Sequence, residues 1–467
     1  MESETRLHER WAMALLGNPA APVDVARRVF ATGSLLPAGS RLKNVELSPA
    51  ATAALVAHPD PKIRMQVAEN QRLPRNILGR LASDPDSAVR ARFALMAWRN
   101  DTQPSPEALA VMSVDPDPEI RGAAGRLLGS RDEARLRLVE DPEPDVRAAA
   151  VSSRHVWSML SLEARERLLA DPDPRVARAV GVYRHAGTPL PTTLAGFAAE
   201  SSLKRRESVV IKGRLDRDLA EHLVRDPDVA VRARVAGNEH LPVDLAVLLG
   251  RDHDPTVRLA ASMHGGLSEE QRAAIDYIVP EGRAPIARWV RAEQDDPDAM
   301  RRAAASAHVL LRRSAANMRR LPPDVVEILA RDEDYYVRLM LCHHCADAPH
   351  ELLVDMYAHD DHLEWEMLRF KPNFARPGLA RFVDHANARL RRVALLDPEA
   401  GPDVVERLSR DSDFQVRYEA AGDPRLPPGR LLELLYDEDV ASAAAGNGSL
   451  PVDCMHRLLD AAGAPRV

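Results

Sequence analysis

Large rings are scarce in this chain: aromatics are 4% of 467 residues, so any core must be packed by alanine, leucine and valine. Cysteine is scarcer still. Cys342, Cys345 and Cys454 are an odd number and too few to staple a secreted scaffold, which points to a reducing, cytoplasmic setting. No run of 18 apolar residues occurs, and Met1 to Arg10 lacks the apolar core of a signal peptide. The sequence therefore predicts neither a membrane-spanning helix nor export by that route. Also missing are Gly-x-Gly-x-x-Gly, a phosphate-loop Gly-Lys-Ser/Thr, His-Glu-x-x-His and Gly-x-Ser-x-Gly. Catalysis has no visible seat, and the expectation is a protein that is not an enzyme. Arginine well above lysine, with abundant alanine, is the composition of a GC-rich bacterial coding sequence.

What is present is a recurring phrase, Asp-Pro-Asp-x-x-Val-Arg. It runs from Asp84 to Arg90, Asp115 to Arg121, Asp141 to Arg147, Asp226 to Arg232, Asp252 to Arg258, Asp332 to Arg338 and Asp411 to Arg417, with a variant at His58 to Arg64. Weaker copies start at Asp171, Glu200 and His385. The step between them, about 24 to 31 residues, is that of stacked helical units. A second phrase follows nine residues past the arginine: Asn70-Gln-Arg-Leu-Pro, Asn238-Glu-His-Leu-Pro, Met318-Arg-Arg-Leu-Pro and Asn447-Gly-Ser-Leu-Pro. Two punctuation marks per unit imply two helical segments per unit.

The chemistry of each mark says how the unit folds. In Asp254-Pro255, as in Asp60-Pro61, Asp117-Pro118 and Asp173-Pro174, the aspartate is placed as an N-cap and the proline at the first helical position. Asn70, Asn238 and Asn447 fall where a left-handed C-terminal residue is wanted, and Leu-Pro opens the next segment with leucines at helical spacing. The arginines are expected to pair with the capping aspartate of their own or the adjacent unit. That ladder comprises Asp60, Arg64, Asp86, Arg90, Asp117, Arg121, Arg147, Asp228, Arg232, Asp254, Arg258, Asp334, Arg338, Asp413 and Arg417. The competing reading makes these arginines a phosphate-binding face.

The unit Leu-Pro-x-x-Leu-x-x-Leu-x-x-Asp-Pro-Asp-x-x-Val-Arg-x-x-Val-Ala-x-Asn resembles the variant leucine-rich repeat, a relative of HEAT-type helical repeats. Residues 223–268 and 402–427 are nearest to it. The resemblance implies an all-α, right-handed α-solenoid alternating α and short 3₁₀-type helices, here of about fifteen two-helix units. Capping helices or a degenerate unit are expected over 1–50, the solenoid over 51–450 and a C-terminal cap and tail over 451–467. Some relatives carry an N-terminal cysteine cluster for iron and sulfur; residues 1–60 contain no cysteine, so that group is not carried over.

Three groups of residues go beyond holding a fold. Two basic segments, Lys204, Arg205, Arg206, Lys212, Arg214 and Arg217, then Arg301, Arg302, Arg312, Arg313, Arg319 and Arg320, would suit an acidic partner or a phosphate backbone. Tyr335 and Tyr336, on a turn, and Phe414, near Tyr418, would suit protein-contact anchors. Cys342 and Cys345, followed after thirteen residues by His359 and His362, approximate a zinc-ligand spacing. The competing reading makes Cys342 a small core residue, and no cofactor other than zinc is suggested.

The function these features favour is a non-enzymatic protein-interaction scaffold, with a protein or peptide partner and no membrane. One alternative is nucleic-acid binding, by analogy with alkylpurine DNA glycosylases that hold duplex DNA on HEAT-like repeats. The net charge of −7 and the few aromatics argue against it. A third reading is a metal-binding accessory protein using Cys342 and Cys345.

Overall fold

Each Asp-Pro mark opens a helix, for the reason its chemistry gives. Asp60, Asp117 and Asp254 sit in extended backbone at the N-cap, accept the amide two residues on at 2.8–2.9 Å, and are followed by proline in the first turn. Asp228 and Asp413 cap in the same way without the proline, Asp334 accepts the Val337 amide three residues on, and Asp86 caps through the Ala88 amide at 2.8 Å. The structure, a computed structural model, describes residues 2–31, 46–70, 72–73, 75–99, 104–129, 132–181, 183, 188–280, 285–359 and 365–466. The regular structure of these residues is all helical. None of the helices is long and apolar enough to cross a membrane.

The Leu-Pro phrase opens the second helix of each pair. Val243–Leu249, Pro323–Ala330, Pro428–Leu434 and Val452–Ala461 start directly after Pro242, Pro322, Pro427 and Pro451. These segments are α-helical rather than the 3₁₀ type that the resemblance implies. Among the described elements 3₁₀ geometry is confined to Trp365–Phe370 and Leu379–Phe382.

The arginine ladder exists, but its partners correct the expectation. Arg64, Arg90, Arg121, Arg147 and Arg232 reach past the capping aspartates to the first aspartate of the next phrase: Asp84, Asp115, Asp141, Asp171 and Asp252, at 2.7–2.8 Å from Nε. Arg312 and Arg391 do the same with Asp332 and Asp411. The Nη1 of each donates to the carbonyl six residues back, closing its own turn, as with Arg121 and Asp115 at 2.8 Å. Arg258, Arg338 and Arg417 keep that turn bond. Arg258 Nη2 comes to 3.6 Å from Asp276 and Arg417 Nη2 to 3.2 Å from Asp439. The physical reason is geometric occupancy: the capping carboxylate is spent on its own helix, while the first aspartate faces the preceding unit. Its Oδ1 also accepts the amide two residues on, as Asp141 does from Glu143 at 3.0 Å.

One carboxylate thus stitches two units and one turn, which yields a separable prediction. Burial pushes the Asp141 carboxyl up, but hydrogen bonds from Arg121 and the Glu143 amide, with the charges of Arg121 and Arg147, hold it below the usual carboxylate range. Asp141→Asn keeps the turn and loses the ion pair; Asp141→Ala loses both. Both partners are mostly buried, side chains 14% and 8% exposed. Asp141→Ala is expected to destabilise by about 3 kcal/mol and Asp141→Asn by roughly half as much, read from urea midpoints. Equal losses would assign the whole effect to the ion pair.

The asparagines act through their side chains. The helix before Asn238 ends at Gly237 in a right-handed conformation, φ −85° and ψ 3°. Asn238, fully buried, works through its side chain: Oδ1 accepts the His240 amide and Nδ2 donates to the Val210 and Gly213 carbonyls at 3.1 and 3.0 Å. Asn447 repeats this with Ala421 and Asp423. Each asparagine therefore satisfies the carbonyl end of the preceding unit.

Contacts divide the chain into two compact units, residues 1–187 with 378–467 and residues 188–377. In the first, the helices Pro61–Ala68, Ser87–Arg99, Pro118–Leu127, Pro144–Ala150 and Pro174–Gly181 pack each on the next. Ala388–Ala394, Phe414–Gly422 and Ala441–Ala445 form a second such row, and the helix that follows Ala441–Ala445 in space is the N-terminal one, α1 (Glu2–Gly17). The C-terminal helix Val452–Ala461 packs on α1 and on α2 (Val23–Ala31), and α2 packs on Pro49–Val56. A single buried core runs through both chain ends. Asn18 proves the register: fully buried, it donates to the Ala445 and Asn447 carbonyls, both at 2.8 Å.

In the second unit, Leu203–Lys212, Val229–Ala236 and Pro255–Ser262 pack in sequence, as do Pro297–Ala304, Val309–Ala316 and Tyr335–His344. Here a histidine takes the capping place. His308, 1% exposed, accepts the Leu310 amide at Nδ1 (3.2 Å), meets Ser262 Oγ at Nε2 (2.8 Å) and stacks on Tyr277 at 4.2 Å. Glu269 receives Ser306 and the Ala307 amide beside it, and the buried Arg272 donates to the His264 and Leu267 carbonyls. Burial, with Arg272 nearby, pushes the His308 pKa down to about 4.

Candidate binding groove

Half of the twelve residues of the basic segments are spent on carboxylates. Arg205 pairs with Glu200 at 2.6 Å and donates to the Thr188 and Pro189 carbonyls. Arg217 is held by Glu221 and Asp244, Arg301 by Asp298 and Asp324, and Arg302 by Glu293. Arg312, expected on an interaction surface, belongs to the ladder, and Arg313 grips Asp334 at 2.7 Å. Lys204, Arg206, Lys212, Arg214, Arg319 and Arg320 are exposed.

The aromatic candidates divide. Tyr335 and Tyr336 are half-buried, meet edge to face at 5.5 Å, and carry Arg313 over the Tyr336 ring at 4.7 Å. Both rings thus pack within their own turn while staying partly exposed. Phe414 is 42% exposed and tilts against Tyr418 at 5.7 Å, which is itself exposed.

Of the metal-ligand candidates, Cys342 and Cys345 are both fully buried in packed cores. Burial pushes the Cys342 thiol up to about 12 and the Cys345 thiol upward too, the direction opposite to that of a thiolate ligand. His359 is exposed and held by Asp355, Nδ1 to the backbone oxygen at 3.0 Å. His362 lies outside the described residues. Among the described residues no three His, Cys, Asp or Glu side chains are arranged to hold a metal ion.

What the structure brings together is a groove of about 900 Å³ where α1 lies beside Phe414–Gly422 and Ala441–Ala445. Its floor is small residues: Ala14, Gly17, Gly422, Ala443 and Gly446. At Gly17 a Cβ would stand 2.8 Å from the Glu46 carbonyl oxygen, so a side chain there would force the two segments apart. The walls carry Arg6, Glu9, Arg10 and Met13 from α1, Tyr418, Glu419 and Asp423 from the facing helix, and Ser442. Glu419 also meets Arg392 at 2.5 Å, Asp423 meets Arg425 at 2.6 Å, and Arg10 donates to the Glu438 carbonyl. The lining is therefore partly ordered by its own hydrogen bonds, with the exposed Tyr418 and several small residues among it, a composition suited to contact with another chain.

The residues of α1 escape a reading of the phrases taken one region at a time. A signal was present: Gly17-Asn18-Pro-Ala-Ala-Pro-Val-Asp24 matches Gly237-Asn238-Glu-His-Leu-Pro-Val-Asp244 and Gly446-Asn447-Gly-Ser-Leu-Pro-Val-Asp453. It marks α1 as the first helix of a pair whose second helix is α2. Compared with known proteins, the chain matches no family model and no curated protein.

Proposed function

We propose that the chain is a cytoplasmic, right-handed α-solenoid of variant leucine-rich, HEAT-like repeats, and that it works as a non-enzymatic protein-interaction scaffold. The observation that carries this reading is the groove beside α1, about 900 Å³ and lined by the exposed Tyr418 together with alanines and glycines. Exposed aromatic side chains over a closely packed floor are the usual anchors of protein contacts. The nucleic-acid reading is weakened by the net charge of −7 and by the pairing of half of the two basic segments, Arg205, Arg217, Arg301, Arg302, Arg312 and Arg313, with carboxylates, while Lys204, Arg206, Lys212, Arg214, Arg319 and Arg320 stay exposed.

Affinity purification from native cells at low salt, with and without nuclease, tests the proposal. One stoichiometric protein is expected to survive nuclease with the wild-type chain and to be lost with Tyr418→Ala. Recovery of nuclease-sensitive nucleic acid instead would overturn it.

A further inference from the structure

The unit of residues 188–377 carries a cationic face that its own carboxylates leave unmatched. On Leu203–Lys212, residues Lys204, Glu207, Ser208 and Ile211 share one side at helical spacing. Two contacts tie that side to the segments beside it. Glu207 lies 3.7 Å from Arg234 on Val229–Ala236, and Arg288 Nη1 donates to the Ile211 carbonyl at 2.7 Å. Arg234 and Arg288 in turn line one hollow of about 230 Å³, with Ala233, Gly237, Ala260 and Glu239 around them. Lys212 and Arg214 follow Ile211 directly along the chain.

The excess of positive charge survives every pairing on this face. Glu207 is met by Arg234, Glu239 stands 3.7 Å from His240, and Asp216 is turned onto the Leu219 amide at 2.9 Å as a helix cap. Lys204, Lys212, Arg214 and Arg288 are exposed, and none of them has a carboxylate at ion-pair distance among the described residues. Their neighbours differ: Arg205 is gripped by Glu200, and Arg217 by Glu221 and Asp244. The fold thus supplies carboxylates to some cations of this stretch and leaves four open, in a chain whose net charge is −7.

We propose that this face docks an acidic segment of a partner protein, which rests on the interaction reading above and gives it a second surface and a partner chemistry. Charge complementarity names the occupant. The guanidiniums of Arg234 and Arg288 present planar forks to carboxylates at the hollow, and the lysines beside them add point charges. A nucleic-acid strand fits less well. Its phosphates form an unbroken anionic row, and Glu207 and Glu239 stand among the cations it would follow. The indole lining the hollow, Trp289, is 9% exposed and spends its Nε1 on the Met263 carbonyl at 3.0 Å, so it gives a base no platform.

The test is selection of decapeptides from a random display library on the full chain, with the selected peptides titrated against variants. Expected are peptides enriched in aspartate and glutamate. Their binding falls about tenfold or more in the triple variant Lys204→Glu, Lys212→Glu, Arg214→Glu, weakens between about 50 and about 500 mM salt, and is unchanged with Tyr418→Ala. An unchanged urea midpoint shows that the triple variant keeps its fold. Enrichment of basic or uncharged peptides would overturn the charge assignment. Acidic peptides indifferent to the triple variant but lost with Tyr418→Ala would remove this face and leave the interaction reading intact. A DNA duplex bound more tightly than any selected peptide, and lost in the triple variant, would give the face to nucleic acid instead. Selection of no peptide at all would remove both this proposal and the reading on which it stands.

Discussion

Arg28→Ala is expected to detach α1 and α2 from the C-terminal helix, raising hydrogen exchange over 5–31 and 441–461 while leaving 203–262 unchanged. Arg28 is 2% exposed, and its guanidinium spans the junction. Nε donates to the Pro465 carbonyl, Nη2 to that of Ala464 and to Asp460, and Nη1 lies 2.9 Å from His456 Nδ1. Removing it strands buried carbonyls, at a cost of about 3 kcal/mol for the hydrogen bonds alone. Arg28→Lys keeps the charge but offers no planar fork, so it is expected to recover little. Asp460 loses less, because Arg466 also holds it at 2.6 Å. Unchanged exchange in α1 with Arg28→Ala would mean that the apolar core through Trp11, Leu15 and Leu16 suffices to hold the chain ends together.

The second large effect is a pH dependence confined to the unit of residues 188–377. The unfolded chain takes up a proton at His308 near 6.5, the folded chain only near 4. Lowering the pH through that window therefore favours the unfolded state, and stability present above pH 6.5 is lost by pH 4. The mechanism is visible in the cap: Nδ1 accepts from the Leu310 amide, so a proton placed there opposes the N–H it should receive. Burial pushes His264 in the same direction, so the two losses add. For His308 the shift corresponds to roughly 3 kcal/mol. His308→Asn keeps a capping acceptor and removes the titration. Urea or hydrogen-exchange stability of residues 255–316 at pH 7.5 and pH 4.5 is expected to fall for the wild type and to change much less for the variant. The same fall in both would discard His308 as its source. The ladder carboxylates act lower: Asp84, Asp141, Asp171, Asp252 and Asp411 all lie below their ordinary 3.8, so their contribution is lost only beneath that value.

How much of this was legible in the residues differs by feature. The aspartate caps were, because a cap is a bond between positions two apart: Asp254 and the Thr256 amide meet at 2.8 Å whatever the rest of the chain does. The helix starts after Leu-Pro were legible for the same reason. The proposed stacking of such pairs rests on the regular spacing of these local signals.

The partner of each arginine was not legible. Arg121 has Asp117 four residues away on its own helix and Asp141 twenty residues away, and only the packing of one pair on the next shows that Asp141 faces it while Asp117 is already bonded to Glu119. That Arg313 lies over the Tyr336 ring was likewise not legible from the spacing of the two tyrosines. The metal spacing likewise says nothing of burial, which raises both thiols.

The sequence by itself determined the all-helical character, the helix starts and their caps, since these depend on interactions within one turn of chain. Tertiary structure alone decided which carboxylate holds which arginine, which polar groups are buried, and that α1 packs beside Ala441–Ala445. That last contact joins residues more than 420 positions apart, as between Trp11 and Leu435. No local spacing encodes such a pairing; it is selected by the shared core that both ends bury together.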